Sequence, residues 1–384
     1  MADIKTHYRE LSFAVKMHSL IQNSSLPNDI LNQISFYKEC KNRIYNSVDS
    51  ASNIISKPIT EEYINIIKNG FKLANSIYNN KYFKFSTSDK ILWLGNDTHK
   101  DNLIDVQIGN IGFSLKEDSF ILENMGLYKY LNIFTNGNFE PGIHVFNDFA
   151  KEEFNNWFKI TWNLLLDYLK ENKSYTFLRD NSYKSSIFIE DNNVIFKINN
   201  FKNIKKSTIS EIPCSISTWD EFIKNTKSYT REKVFAKWIS EKCSNNSSYL
   251  ESKSICSNIA GKNLVDYIKK NLNSNNIQRF LQIYPKEYYY AKTTDNLIAV
   301  YLVPSLNDFD NTFNIKNIEY RVPSSQLNLI TTIENTKTGV ELIFRNECRF
   351  SHGQFNGTPE AKMYYDKGND LSSLYNIIIS ESQV

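Results

Sequence analysis

A chain of 384 residues is long enough to form two or three compact units, each with its own hydrophobic core. Hydrophobic residues make up 41% of it and charged residues 23%, which is the balance of a globular protein. Its formal net charge of +3 is too small to indicate a strong general affinity for nucleic acid, and it does not exclude a local basic surface.

The sequence lacks the characteristic motifs of several enzyme classes and the apolar segments of membrane proteins. It lacks a Gly-x4-Gly-Lys phosphate-binding loop and a nucleophile elbow. No run approaches about 18 apolar residues, so no transmembrane helix is expected. The N-terminus lacks the basic-then-apolar layout of a signal peptide, which predicts a cytoplasmic location. The cysteines are scattered without metal-site or redox spacing, which predicts reduced structural thiols: Cys40, Cys214, Cys243, Cys256 and Cys348.

Residues 1–82 are predicted to form a helical N-terminal region. Apolar residues recur at helical spacing in two runs, 11–21 and 30–47. A third helix is expected to begin near Glu61, because Glu61 and Glu62 would complement the helix dipole in its first turn. Capping is the simpler role for these two glutamates, and a metal-ligand role is the alternative.

Residues 83–175 are predicted to form an α/β core, and segment 105–116 is its most informative part. Gly109-Asn110 is a two-residue turn of the kind that favours a tight β-hairpin. Pairing of Ile108 with Ile111 then sets the register of the two strands. One face of the predicted hairpin is apolar and buried.

Asp105, Ser114 and Lys116 fall on the other face of this hairpin. Cross-strand Cβ atoms lie roughly 5 Å apart, so an acid, a hydroxyl and an ammonium group would converge on one small area. An Asp and a Lys on neighbouring strands are typical of a metal-dependent phosphodiesterase, in which the acid holds the cation and the Lys positions the attacking water. The alternative is an ordinary hairpin whose outer face is polar.

The pattern of Asp105, then Ser114 nine residues later, then Leu115-Lys116 resembles the core of PD-(D/E)xK nucleases, above all type II restriction endonucleases. The resemblance implies a mixed sheet flanked by helices, with Mg²⁺ as the cofactor and Asp105 as its ligand. It also implies that Lys116 orients and deprotonates the attacking water and offsets charge in the transition state.

Ser114 departs from the family pattern, because it stands where a second carboxylate is usual. A hydroxyl is a poor lone ligand for a hard cation that prefers several oxygen donors. The second acid would therefore come from a neighbouring element. The candidates are Asp101, which the same register places on the face of Asp105, Glu123, and Glu61 or Glu62.

Residues 176–285 are predicted to form a mixed, mainly helical insertion. A second hairpin is expected within 185–199, and amphipathic helices are expected near 219–242 and 263–283. A small basic cluster lies in a predicted loop, and such a cluster is more typical of a solvated turn than of a phosphate clamp: Lys202, Lys205 and Lys206.

Residues 286–384 are predicted to form a β-rich DNA-recognition region, with strands near 297–303, 327–333 and 340–350. The last strand alternates apolar and charged side chains. Arg, Gln and Asn side chains make paired hydrogen bonds to guanine or adenine, and Lys contacts phosphates. The predicted DNA contacts are Arg345, Arg349, His352, Gln354, Asn356 and Lys362. The alternative is an exposed hairpin with charged cross-strand pairs.

The sequence therefore predicts an α/β (α+β) protein with a restriction-endonuclease-like core, a helical N-terminal region and a β-rich C-terminal region. The leading hypothesis is a site-specific type II restriction endonuclease that hydrolyses double-stranded DNA with Mg²⁺. Two-fold symmetric sites favour a homodimer, and the resemblance implies a cognate DNA methyltransferase. No membrane partner is expected, because no run of apolar residues is long enough to span a bilayer. The alternatives are a non-catalytic nucleic-acid-binding protein on a degenerate nuclease core, and a structural or interaction protein.

Overall fold

The computed structural model describes residues 4–46, 49, 55, 59–95, 103–117, 121–179, 182–273, 276–309, 313–365 and 371–382, except the side chains of 121–124 and 373. The fold is mixed α/β, as predicted, with a helical N-terminal part and a strand-rich C-terminal part. The chain divides into two compact units.

The α-helices are, in chain order, α1 (Ile4–Ile21), α2 (Gln33–Arg43), α3 (Glu61–Asn79), α4 (Leu127–Phe134), α5 (Val145–Phe149), α6 (Lys151–Asn172), α7 (Trp219–Asn225), α8 (Ser228–Thr230), α9 (Ala236–Lys242), α10 (Ser247–Lys270) and α11 (Ile277–Phe280). A π-helical turn, Arg231–Phe235, joins α8 to α9.

The strands are, in chain order, β1 (Ile91–Trp93), β2 (Val106–Ile108), β3 (Ile111–Lys116), β4 (Ile121–Gly126), β5 (Ser174–Arg179), β6 (Tyr183–Glu190), β7 (Asn193–Asn200), β8 (Thr208–Pro213), β9 (Tyr288–Thr293), β10 (Leu297–Val303), β11 (Phe313–Arg321), β12 (Asn328–Asn335), β13 (Glu341–Arg349), β14 (Glu360–Tyr365) and β15 (Asn376–Ser382).

The first unit is built from three separate stretches of chain, Met1–Phe120, Leu281–Asn311 and Lys367–Val384. Its six-stranded sheet has the order β1-β2-β3-β9-β10-β15. Neighbouring strands are antiparallel except β3 and β9, which run parallel. A parallel pair needs a crossover connection, and here the chain between the two strands contains most of the second unit.

Helices α1 and α3 pack closely against each other in the first unit. A Cβ atom added at Gly70 of α3 would lie 2.0 Å from Oγ of Ser12 on α1, so the contact depends on glycine. Phe13 of α1 stacks edge-on against Phe113 of β3 with ring centroids 5.4 Å apart. These contacts hold α1 against both the sheet and α3.

The second unit comprises Ile121–Phe280 and Thr312–Asp366. One of its sheets has the order β11-β12-β13-β14-β4, and the other has the order β5-β6-β7-β8. The aromatic side chains of α6 form part of its core, and four of them have no solvent exposure: Phe154, Trp157, Phe158 and Trp162. Burial of such large side chains contributes about 1.5–3 kcal/mol each.

Two sequence-based predictions differ from this fold. The helix predicted near 263–283 has the wrong bounds: α10 begins at Ser247, where the side chain of Asn246 accepts a hydrogen bond from the Tyr249 N–H and caps it, and it ends at Lys270 before the short α11. The four predicted domains are consecutive segments, whereas the first unit combines distant segments. Pairing of β3 with β9 causes this difference, and the spacing of residues along the chain does not reveal it.

Candidate active site

The β2–β3 hairpin has the predicted register. Ile108 pairs with Ile111 and Val106 pairs with Phe113. Gly109 adopts φ +57° in the turn, a left-handed conformation that glycine enters without strain. The hairpin therefore has one buried apolar face, and it directs Asp105, Ser114 and Lys116 to the other side.

The Asp105 carboxylate is the centre of the candidate site. Its Oδ2 atom accepts a hydrogen bond from the Leu115 N–H at 2.7 Å and lies 3.5 Å from Oγ of Ser114. Nζ of Lys116 lies 3.6 Å from the same oxygen. The convergence of acid, hydroxyl and ammonium group expected from the register is present in the structure.

Backbone hydrogen bonds fix the position of Asp105, the residue directly before β2. Its N–H donates to the carbonyl oxygen of Phe113 at 2.8 Å. Its own carbonyl oxygen accepts from the N–H groups of Leu94 and Gly95 at 2.8 and 3.1 Å. Because these bonds tie Asp105 to two neighbouring segments, its carboxylate is held on a rigid frame.

Exposure differs among the three predicted residues. The side chain of Lys116 is 26% exposed and that of Asp105 is 16% exposed, so both are open to a ligand. Ser114 is buried, with 2% of its surface exposed. Its hydroxyl therefore supports the Asp105 carboxylate from inside the protein.

Glu10 of α1 supplies a second carboxylate that the sequence analysis missed. It is fully buried, and its Oε2 atom accepts a hydrogen bond from Nε1 of Trp93 at 2.6 Å. Burial raises the pKa of Glu10 above its ordinary value, and the nearby negative charge of Asp105 raises it further. The two acids therefore share one electrostatic environment.

His7 lies one helical turn before Glu10. Its Nδ1 atom is 3.6 Å from Oε2 of Glu10, and its ring packs edge-on against Trp93 with centroids 5.4 Å apart. His7 and Trp93 thus enclose the Glu10 carboxylate. The sequence carries a weak signal for this arrangement, because His7 and Glu10 continue the stripe of Ala14, Met17 and other buried residues of α1.

Gly95 lies against both acidic residues, Asp105 and Glu10. Its N–H donates to the Asp105 carbonyl oxygen, and a Cβ atom added at Gly95 would lie 2.0 Å from Oε2 of Glu10. A side chain at this position would have to displace the buried carboxylate. The close approach of strand end and helix therefore requires glycine.

Replacement of Gly95 by Ala is expected to destabilise the protein by about 1–3 kcal/mol, because the added methyl group overlaps the Glu10 carboxylate. Urea denaturation of the wild type and G95A measures this cost. The matched background is Glu10→Ala, which removes the overlapping atoms. In that background the cost of G95A should fall below about 1 kcal/mol, because substitutions at residues in contact are coupled by about 0.5–3 kcal/mol. An equal cost in both backgrounds would contradict the proposed contact.

The raised pKa of Glu10 predicts a pH-dependent stability in EDTA. The pKa of Glu10 in the folded state lies above the ordinary value of 4.5, so the protonated side chain stabilises the fold. This stabilisation is complete below pH 4.5 and is lost as the pH rises through the folded-state pKa. The wild type should therefore lose stability relative to Glu10→Gln above pH 4.5, by at most about 1.4 kcal/mol per pH unit. Urea denaturation of both proteins from pH 5 to 8 measures this, and parallel curves would contradict it.

Strand β9 borders the site on the other side of β3. Its Tyr290 pairs with Ser114 and its Lys292 pairs with Lys116. Burial raises the pKa of Tyr290, and the charge of Asp105 raises it further, so the phenol stays protonated. Lys116 and Lys292 therefore lie side by side at this edge of the site, and both are half-buried.

The other acids considered as second ligands have different positions. Asp101 lies outside the described residues. Glu123 lies on β4 of the second unit, and its side chain is also outside the described part. Glu61 and Glu62 are exposed in the first turn of α3, where Glu62 forms an ion pair with Lys5.

Asp105 and Glu10 provide donors that suit Mg²⁺. Within the described ranges, no three His, Cys, Asp or Glu side chains are grouped as a metal centre. Protein sites commonly hold Mg²⁺ through one or two carboxylates, together with water and substrate phosphate oxygens. Burial is the main cause of the raised pKa of Glu10, and the charge of Asp105 adds to it; a bound cation would offset that charge. The donor chemistry of the two carboxylates therefore suits this ion.

The predicted DNA contacts of β13 and β14 lie on the outer face of the five-stranded sheet. The guanidinium of Arg345 stacks 4.1 Å above the ring of Tyr364, and its Nη1 atom donates to Oδ1 of Asn328 at 3.1 Å. The Nη1 atoms of Arg345 and Arg349 lie 3.9 and 3.8 Å from Oε2 of Glu347, which stands between them on the strand. Both arginine side chains are 41% exposed. Lys362 pairs with Glu347 in the strand register.

Asn356 does not belong to this surface, so the prediction of a base contact there is wrong. It is buried, and its Oδ1 atom accepts hydrogen bonds from Nε of Arg231 and Oγ of Ser228, both at 3.1 Å. Its amide nitrogen donates to the carbonyl oxygen of His352. His352 is exposed, and Gln354 is half-buried.

Replacement of Asn356 by Ala is expected to destabilise the protein by about 1–3 kcal/mol, because it leaves the buried Nε–H of Arg231 without its acceptor, while Nη1 keeps its hydrogen bonds to Thr226. Thermal and urea denaturation measure this loss. His352→Ala, which changes an exposed residue of the same segment, should unfold like the wild type. Wild-type stability of N356A would refute the structural role.

Comparison of the chain with protein-family models, with curated proteins and with solved structures gave no match. Among the described helices, none has the length and apolar character needed to cross a membrane. The geometry of the site itself is therefore the basis on which a function can be assigned.

Proposed function

We propose that the protein is a Mg²⁺-dependent, site-specific endodeoxyribonuclease of the type II restriction endonuclease kind. The observation that carries the proposal is the position of Lys116 and Ser114 around the Asp105 carboxylate, with Glu10 buried beside it. A parallel–antiparallel sheet flanked by helices, which the resemblance to PD-(D/E)xK nucleases implies, supports the same proposal.

Each residue has a role that follows from its surroundings. Asp105 and Glu10 would hold the cation, since they present carboxylate oxygens from a strand end and from a helix. The cation, when bound, would offset the charge that develops on the scissile phosphate. The Leu115 N–H and Ser114 would keep the Asp105 carboxylate in one orientation.

Lys116 is the group best placed to act on water and phosphate. It is partly exposed and projects from the same strand face that carries the acid. Its ammonium group would orient the attacking water and stabilise negative charge in the transition state. Lys292, opposite it in the register, would add positive charge for the DNA backbone.

Recognition of the DNA sequence is proposed for the outer face of the five-stranded sheet. Arg345 is held in one orientation by Tyr364 and Asn328, and such a fixed guanidinium suits paired hydrogen bonds to guanine. Arg349 and Lys362 would contact bases or phosphates beside it. A homodimer acting on a two-fold symmetric site, a cytoplasmic location and a cognate methyltransferase belong to the same proposal.

A non-catalytic DNA-binding protein on a degenerate nuclease core is the second candidate. Ser114 favours it, because a carboxylate usually stands at that position in the resembled family. The described residues also contain no three-ligand metal group. In this case the surfaces that bind DNA would remain while phosphodiester hydrolysis is lost.

Incubation with supercoiled plasmid DNA separates the two candidates. Nicked or linear products in Mg²⁺ that are absent in EDTA would support the nuclease. A retarded but intact plasmid under both conditions would support the binding protein. A plasmid that is neither bound nor cut would refute both.

A further inference from the structure

The loop between β7 and β8 presents a fixed set of side chains to solvent. Residues 201–206, here called the basic tip, include a single 3₁₀ turn, Ile204–Lys206. The Oδ1 atom of Asn200 accepts hydrogen bonds from the N–H groups of Lys202 and Asn203 at 3.1 and 2.8 Å. Oγ of Ser207 accepts from the Asn200 N–H at 2.9 Å. The tip is therefore tied to the ends of both strands.

The basic tip combines exposed apolar side chains with positive charge. Ile204 is 82% exposed and Phe201 is 54% exposed, which is unusual for two neighbouring large apolar residues on one tight loop. The tip also carries Lys202, Lys205 and Lys206, and all three are exposed. The sequence contains no Asp or Glu from 192 to 210, so the tip itself carries no acid, and the nearest acid of the hairpin is Glu211 on β8, which lies on the same sheet face as Lys197.

The positive charge continues from the tip onto the outer face of the four-stranded sheet. Lys184 pairs with Asn199, and Lys197 pairs with Ile209 in the strand register. Since Lys197 and Asn199 are two residues apart on β7, Lys184 and Lys197 lie on one face. Lys197 is about 13 Å along the strand from the start of the tip, at roughly 3.3 Å per residue. Five lysines thus form one basic strip.

We propose that this basic strip binds the backbone of duplex DNA and that Phe201 and Ile204 enter the minor groove at its tip. The inference rests on the proposed function, because it takes DNA as the ligand of the chain. Lysines spaced along a strand suit the row of phosphates on a duplex. Apolar side chains that enter the minor groove partly unstack base steps and kink the helix.

An anionic lipid surface is the other partner that a basic loop with apolar residues could suit. The arrangement of the lysines favours DNA, because Lys184 and Lys197 extend the charge along the sheet face. A membrane-anchoring loop would instead gather its charges around a larger apolar surface. The exposed apolar side chains are here distributed along the strip: Phe201 and Ile204 lie at the tip, and Leu178 and Ile209 lie beside Lys184 and Lys197 on the sheet face.

The salt dependence of DNA binding tests the contribution of the tip lysines. Fluorescence anisotropy with a labelled duplex in EDTA, from 50 to 300 mM salt in the assay, gives the slope of log K against log salt. K202Q/K205Q/K206Q should reduce this slope by about 2 to 3, because each lost phosphate contact removes roughly 0.9. The matched control is K262Q/K269Q/K270Q, which changes three exposed lysines of α10 and should keep the wild-type slope.

A second variant tests the contribution of the two apolar residues of the tip, Phe201 and Ile204. F201S/I204S should weaken duplex binding roughly tenfold or more while it leaves the salt slope unchanged. It should also abolish the DNA bend, measured as energy transfer between dyes at the two ends of the duplex. Both side chains are exposed, so the variant is expected to fold, and its circular dichroism spectrum checks this.

The outcomes separate this inference from the proposed function. A wild-type salt slope in K202Q/K205Q/K206Q, or a bend that persists in F201S/I204S, would overturn the inference while Mg²⁺-dependent cleavage could still stand. Loop-dependent binding of phosphatidylserine vesicles with unchanged DNA binding would also overturn it, in favour of the lipid surface. Loop-dependent DNA binding without cleavage would support the inference and refute the nuclease.

Discussion

Replacement of Lys116 by Ala is expected to reduce Mg²⁺-dependent DNA cleavage by about 10²–10³-fold, the usual cost of removing one group that stabilises transition-state charge. Nζ of Lys116 lies 3.6 Å from Asp105 Oδ2, and the side chain is partly exposed. Its loss should therefore remove the group that orients water without disturbing the core. Initial rates on a plasmid substrate give the measurement.

The control for K116A is Lys38→Ala, which removes an exposed lysine from α2 of the same unit. K38A should cleave at the wild-type rate, and both variants should unfold like the wild type. DNA binding by K116A should persist, because the loss concerns catalysis rather than the recognition surface. Cleavage by K116A at the wild-type rate would remove Lys116 from the mechanism.

Replacement of Glu10 by Gln is expected to abolish measurable cleavage and to stabilise the protein in EDTA at neutral pH. The amide has almost the shape of the carboxylate and can still accept the hydrogen bond from Trp93. It carries no charge, so it ends the repulsion with Asp105 and lacks a strong ligand for Mg²⁺. A gain in stability with a loss of activity is the signature of a functional site.

Thermal unfolding and plasmid cleavage, measured on the same preparation, test this pair of effects. Each kcal/mol gained should raise Tm by about 2–4 °C, as in domains of 150–250 residues. The control is Glu62→Gln, since Glu62 is an exposed acid on α3 and forms only a surface ion pair. E62Q should keep both activity and stability. If E10Q cleaves DNA like the wild type, Glu10 is a structural acid.

The hairpin and its polar face could be predicted because their causes are local. The Gly109-Asn110 turn fixes the register, and period-two alternation then assigns each side chain of β2 and β3 to a face. The same alternation correctly predicts Arg345 and Arg349 on the outer face of β13. In both segments, interactions between residues close in sequence decide the structure.

Glu10 and Asn356 could not be placed from the sequence, because distant residues define their environments. Glu10 is held by Trp93, 83 positions later, and Asn356 by Arg231, 125 positions earlier. The parallel pairing of β3 with β9 likewise joins segments on either side of a long insertion. Residue spacing alone contains no information about which distant elements pack together.

Digestion of long, unmethylated duplex DNA of mixed sequence tests whether the protein is a site-specific nuclease. The purified protein is incubated with this DNA in Mg²⁺ and, separately, in EDTA, and the ends of all products are sequenced. A Mg²⁺-dependent, site-specific nuclease should give discrete fragments that appear only with Mg²⁺ and share one sequence at their ends. Intact DNA under both conditions would contradict it, as would cleavage at unrelated sequences.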